Sequence, residues 1–179
     1  MKKLLFVFIL LTSACERTKL PAPTKEGADT FGMLVNGAKW IAYTPGLFTP
    51  GGIGADIYFN KKYSTLEISA RNKNADQNIY FSIKINGVGT YNFNKAFREA
   101  MNTGNIEDSI NCKFKTRFEY SSDCFNSYFL TDSLKSKIII TKMDSTLEIV
   151  SGTFFMTLYN SAGTELKITD GRFDSNYTK

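Results

Sequence analysis

The chain has no histidine in 179 residues. That absence removes Ser-His-Asp and Cys-His nucleophile systems, zinc motifs built on imidazole, and histidine proton shuttles. Catalysis here would have to run on carboxylates, lysine, tyrosine or a Ser-Lys pair. Clustered basic charge is also missing. The 22 basic residues outnumber 17 acidic ones, yet the densest patches are only Lys61-Lys62 and Lys135-Ser136-Lys137. Both sit beside turn residues and read as solvated surface, whereas a nucleic-acid footprint needs a clustered face. No nucleic-acid partner is expected. Repeats and low-complexity segments are absent, and tryptophan occurs once, at Trp40.

What the N-terminus contains is more informative. Lys2 and Lys3 precede an apolar run over residues 4–11. Eight residues are too few to span a bilayer but suit the core of a secretory signal peptide. Ser13 and Ala14 then lead into Cys15, followed by the polar Glu16-Arg17-Thr18-Lys19. A cysteine after small residues at the cleavage point resembles a bacterial lipobox, with Thr12 standing where leucine is commonest. On this reading residues 1–14 are removed and Cys15 becomes the lipidated first residue, which ties the protein to a membrane. The plainer alternative is an ordinary signal peptide cut near Ala14. Removing 14 residues from 179 leaves 165, with 20 basic and 17 acidic side chains once Lys2 and Lys3 are gone. That length suits one domain and a tether.

Residues 15–29 read as that lipidated tether, stiffened by Pro21 and Pro23, and residues 30–179 as a single β-rich domain. Phe31, Met33 and Val35 alternate up to Asn36-Gly37, and Lys39-Trp40-Ile41-Ala42-Tyr43 follows, which predicts a tight hairpin. Trp40 reads as a core plug. Ile79, Phe81, Ile83 and Ile85 alternate with Tyr80, Ser82, Lys84 and Asn86, the clearest period of two in the chain. Strand patterns recur to Phe173, interrupted by residues 94–104, where Asn94, the Phe97-Ala100-Met101 face and Gly104 predict one short helix. The expected fold is all-β, an antiparallel β-sandwich or partly closed β-barrel of about 9–11 strands with that one helix.

Four side-chain groups are candidates for chemistry. Cys112 and Cys124 remain once Cys15 is acylated, and in an exported domain they suggest a disulfide, with two buried thiols as the alternative. Leu47 and Phe48 stand on a Gly/Pro-rich loop over residues 44–54 as a possible lip above a ligand, although folding onto the sheet end is the simpler reading. Residues 72–78 place oxygen side chains at alternate positions but lack the turn glycine and the bidentate glutamate of a calcium loop, so they read as a polar turn. Glu99, Glu107 and Asp108 crowd the least regular region, and Asp170 and Asp174 flank the last strand end, with nothing in the sequence to fix their separation. No catalytic, metal or cofactor site is assigned.

Ile140-Thr141-Lys142-Met143-Asp144, Val150-Ser151-Gly152-Thr153-Phe154 and Ile168-Thr169-Asp170-Gly171-Arg172-Phe173 resemble the C-terminal half of a family of uncharacterised Bacteroidetes lipoproteins. Val35-Asn36-Gly37-Ala38-Lys39-Trp40 resembles the opening strand pair of that family. The resemblance implies a lipid-anchored envelope protein with a β-rich domain, and it supplies no functional residues. From the residues themselves, Gly152 reads as a bulge and Asp170-Gly171 as a second bulge or turn. The expectation is a non-enzymatic module on the bacterial outer membrane, periplasmic or surface-facing, that binds a glycan, a peptide or an envelope partner. The alternatives are a barrel-type carrier of a small apolar ligand, with a cavity around Phe81, and a carboxylate-based hydrolase.

Overall fold

The computed structural model describes residues 20–43, 55–75, 77–93, 112–116, 127–130, 135–160 and 162–178. They form eleven strands: β1 (Thr30–Val35), β2 (Ala38–Ile41), β3 (Ala55–Asn60), β4 (Thr65–Asn72), β5 (Gln77–Lys84), β6 (Gly89–Asn92), β7 (Cys112–Thr116), β8 (Ser127–Leu130), β9 (Lys137–Asp144), β10 (Ile149–Tyr159) and β11 (Glu165–Asn176). Every strand ladder is antiparallel. No α-helix occurs among the described residues, and the helix expected over 94–104 lies outside them.

The strands make two sheets. One runs β2-β1-β11-β10-β9-β6 and the other β3-β4-β5-β7-β8. They join at the end of β10, where Leu158 and Tyr159 pair with Leu130 and Phe129 of β8. Among the described residues no ladder closes the two sheets into a barrel. Single parallel bridges, Tyr43 to Asn72 and Tyr58 to Thr178, link the two sheets. The arrangement is therefore the sandwich form of the expected all-β fold.

Alternation builds the core. Phe31, Met33 and Trp40 from the first hairpin, Ile79, Phe81 and Ile83 from β5, and Ile138 and Ile140 from β9 are all buried. Phe154 is the centre of the aromatic contacts. Its ring centroid lies 5.4 Å from Phe31, 5.3 Å from Phe81 and 6.4 Å from Phe173. Phe81 belongs to the opposite sheet, so this ring pins one layer on the other. Phe93 closes the far side of Phe81 at 6.0 Å. Trp40 is 3% exposed and meets Phe31 edge-on, as its core reading requires.

The turn at Asn36-Gly37 has φ of 49° and 81°, the two left-handed residues that a two-residue hairpin needs. The bulges are equally specific. On β11 the pairing moves from Gly171 opposite Phe154 to Ile168 opposite Met156, leaving an extra residue at Thr169-Asp170. Asp170 takes φ of 51° there. The inserted residue switches parity, so that Leu166 and Ile168 before it and Phe173 after it all face the core. A second register shift beside Gly152 inserts Thr141 into β9. Gly152 and Gly171 have no room for a side chain. A Cβ on Gly171 would stand 2.6 Å from the Phe154 ring, and one on Gly152 would stand 2.7 Å from that of Phe173.

Residues 20–29 differ from the free tether read in the sequence. They lie across the outer face of the first sheet and form a strap. A Cβ on Gly32, which points outward, would meet Pro21 at 2.8 Å and Leu20 at 3.4 Å. The strap is then drawn down onto Asp174 by hydrogen bonds from Thr24 and from the backbone N–H groups of Glu26, Gly27 and Ala28. Sequence periodicity does not report such a contact, because it links residues about 150 positions apart.

Candidate functional site

The outer face of the first sheet sets apolar, cationic and carboxylate side chains beside one another. Its geometry follows from register. One cross-strand row runs Ile41, Gly32, Arg172, Thr153, Ile139 and Thr90, each opposite the next. The neighbouring row carries Lys39, Leu34 and Thr169, and beyond the bulge Phe155, Lys137 and Asn92. All these positions alternate with core residues and so point away from the other sheet.

Ile139 and Phe155 are 39% and 40% exposed, although each is large and apolar. They stand beside a groove of about 310 Å³ whose wall is Pro23 of the strap and whose other lining includes Thr153, Lys137, Asp170 and Arg172. The bulge brings Asp170 to this rim. Arg172 is oriented by two backbone carbonyls: its Nε donates to Asp170 at 3.3 Å and its Nη1 donates to Pro21 at 3.1 Å. One side chain thus holds both the bulge and the strap in place. An apolar floor with cations and one carboxylate at its margin can bind an amphipathic group.

Under the strap lies Asp174, 1% exposed. Its carboxylate accepts from Ser151 Oγ at 2.6 Å, Thr24 Oγ1 at 2.5 Å, and the amides of Glu26, Gly27 and Ala28 at 3.0–3.1 Å. Burial pushes its pKa up, but the hydroxyls of Ser151 and Thr24 and the amides of Glu26 and Ala28 together outweigh it and hold the group well below the usual carboxylate range. Next to it, Asp29 accepts from Ser175 Oγ at 2.6 Å. Asp174 is a structural anion with its acceptor sites occupied.

The sequence candidates fall elsewhere. Cys15, Leu47, Phe48, Glu99, Glu107, Asp108 and Cys124 lie outside the described residues. Cys112 is the first residue of β7, opposite Phe81, so the Cys112–Cys124 pair is outside them as well. Residues 72–75 form a turn in which Asn72 Oδ1 accepts from the Ala75 amide at 3.0 Å. Tyr80 and Tyr159 donate to Glu67 at 3.4 Å and Glu165 at 2.9 Å. Burial, then the Glu67 charge, raise the Tyr80 pKa. No group of three or more Cys, Asp or Glu that could hold a metal occurs among the described residues. No helix long and apolar enough to cross a membrane occurs among them.

The groove was missed from sequence because its parts come from the strap, β9, β10 and β11. The one legible signal was apolar residues on the wrong parity: Ile139 between Ile138 and Ile140, and Phe155 beside Phe154. Comparison of the chain with protein-family models, curated proteins and solved structures gave no match.

Proposed function

We propose that this is a lipid-anchored envelope protein, tethered through Cys15 at the outer membrane, whose β-sandwich serves as a non-enzymatic binding or accessory module for a glycan, a peptide or an envelope partner. The observation that carries the binding role is the groove beside Ile139 and Phe155, with Lys137, Asp170 and Arg172 at its margin. Exposed apolar side chains next to oriented polar ones are what a recognition surface requires. The anchor is supported by the apolar run at residues 4–11 ending at Cys15. A carrier reading has less support, since Phe93 and Phe154 fill the space around Phe81. A hydrolase built on Asp174 has less support too, because five donors already occupy that carboxylate.

The test is titration of envelope polysaccharides and peptides against the lipoprotein and its Phe155→Ser variant. Saturable binding to the wild type, weakened at least tenfold in the variant with an unchanged melting temperature, supports the groove as the site. Binding that Phe155→Ser leaves untouched moves the site off this face. Loss of membrane association in Cys15→Ala checks the anchor separately.

A further inference from the structure

We infer that the groove beside Ile139 and Phe155 takes an extended, proline-containing segment of another polypeptide, laid alongside the protein's own strap. The inference rests on the binding-module reading and narrows its ligand to one class.

The strap shows how this face holds a chain. Residues 20–29 lie on the outward side of the sheet, away from its edges, where a polypeptide cannot join the ladder. Side chains hold it instead. Arg172 Nη1 donates to the Pro21 carbonyl at 3.1 Å, and Lys142 Nζ donates to the Lys25 carbonyl at 2.9 Å. Pro21 covers the space above Gly32. Pro21 and Pro23 have no backbone N–H to satisfy, which suits a segment laid on a face whose ladder groups are already paired. Lateral cations on a sheet thus bind a chain that is rich in carbonyls and poor in N–H groups.

The groove offers the same terms to a second chain. Pro23 is one wall, and Phe155 and Ile139 present an exposed ring and an exposed aliphatic side chain. Lys137 stands directly opposite Phe155, and among the described residues its ammonium has no hydrogen bond or ion pair. Arg172 commits Nε and Nη1 to the bulge and the strap, which leaves its remaining N–H groups for a ligand. Asp170 can accept from the N–H of a residue standing between prolines. Donors outnumber acceptors along this lining, which suits carbonyls better than sugar hydroxyls, since each hydroxyl both donates and accepts. The face and its strap together carry as many carboxylates as cations, so the ligand need bear no charge. Extended proline segments are preordered and dock on aromatic-lined grooves at low entropic cost. At about 310 Å³ the groove holds a short motif rather than a folded domain.

The experiment titrates the mature lipoprotein, in detergent micelles, with three uncharged probes. They are a capped decapeptide of alternating alanine and proline, its alanine–glycine counterpart, and cellohexaose. The methyl NMR signal of Ile139 reads occupancy of the groove. The alanine–proline peptide is expected to move that signal and to bind about tenfold more tightly than the alanine–glycine peptide. Lys137→Met should weaken its binding about fivefold at an unchanged melting temperature, and Lys137→Arg should restore it. Lys61→Met, in a turn of the second sheet, should bind as the wild type does. Equal affinity for the two peptides, or undiminished binding by Lys137→Met, overturns the proline-segment ligand. Cellohexaose moving Ile139 where neither peptide does also overturns it, while keeping the groove as a binding site. Binding of a probe that leaves Ile139 unmoved takes the site off this face, and both readings fall. If no probe binds, the proline segment is overturned, and the broader binding role is decided by the Phe155→Ser comparison.

Discussion

Asp174 is the residue on which the N-terminal strap depends. Its carboxylate collects two hydroxyls and three amides from segments far apart in sequence. Asparagine at this position would keep one acceptor and turn an amide donor toward N–H groups that have no other partner. Asp174→Asn is expected to lose about 2–3 kcal/mol at pH 7, read by urea denaturation. The folded-state pKa lies below that of the unfolded chain. The carboxylate therefore contributes stability above about pH 4, and that contribution is lost as pH falls towards the depressed folded value. The difference between wild type and Asp174→Asn should accordingly shrink below pH 4; a constant gap would show that charge is not the cause. Glycines supply a contrast at the same scale. Gly37 sits at φ of 81° with nothing within 4 Å of its would-be Cβ, whereas Gly171 lies against the Phe154 ring. Gly37→Ala should cost about 1–2 kcal/mol from backbone strain alone. Gly171→Ala overpacks the core, and beyond a cost of about 1–3 kcal/mol it should broaden the side-chain NMR signals of Phe154, a change Gly37→Ala should not produce.

Among the elements, the strap and β11 form one unit. Asp174 holds residues 24–28, Asp29 holds Ser175, and Arg172 holds Pro21. Native-state hydrogen exchange tests this directly. The amides of Glu26, Gly27 and Ala28 should be protected in the wild type although they belong to no strand. In Asp174→Ala these three should exchange rapidly while the Ile68–Phe81 ladder of the second sheet keeps its protection. Fast exchange in the wild type would mean that the strap opens in solution. The bulge in β11 belongs to the same scale. Without the extra residue at Asp170, either Ile168 or Phe173 would face solvent, and Arg172 would not stand between the bulge and the strap.

Across the whole molecule, Phe154 couples the layers, because its neighbours Phe31, Phe81 and Phe173 lie on β1, β5 and β11. Phe154→Ala is expected to lose about 3–5 kcal/mol in chemical denaturation. Exchange protection should then fall in both sheets together. A loss confined to β10 and β11 would indicate that the layers are stabilised separately. The outer face of the first sheet is the counterpart of this core: the same strands that bury Ile140, Phe154 and Phe173 present Ile139, Phe155 and Arg172 outward.

The sequence by itself determined the class of fold, because a period of two is a local property of each strand. The alternations at residues 31–35 and 79–85, the Asn36-Gly37 turn and the bulge at Asp170 were legible for that reason, whereas the extra residue beside Gly152 is Thr141 of the facing strand β9. Trp40 was legible as a core residue on its parity and size. Tertiary structure alone decided sandwich against barrel, since that choice depends on which strands meet across the layers, and among the described residues single bridges, not a ladder, link the sheets there. It alone decided the place of the strap, whose partners on β11 are about 150 residues distant. It also decided the groove, because strands that are neighbours in space bring Pro23, Ile139, Phe155 and Arg172 to one face from four separate parts of the chain. Local patterns specify which way a side chain points; only the pairing of distant strands specifies what stands beside it.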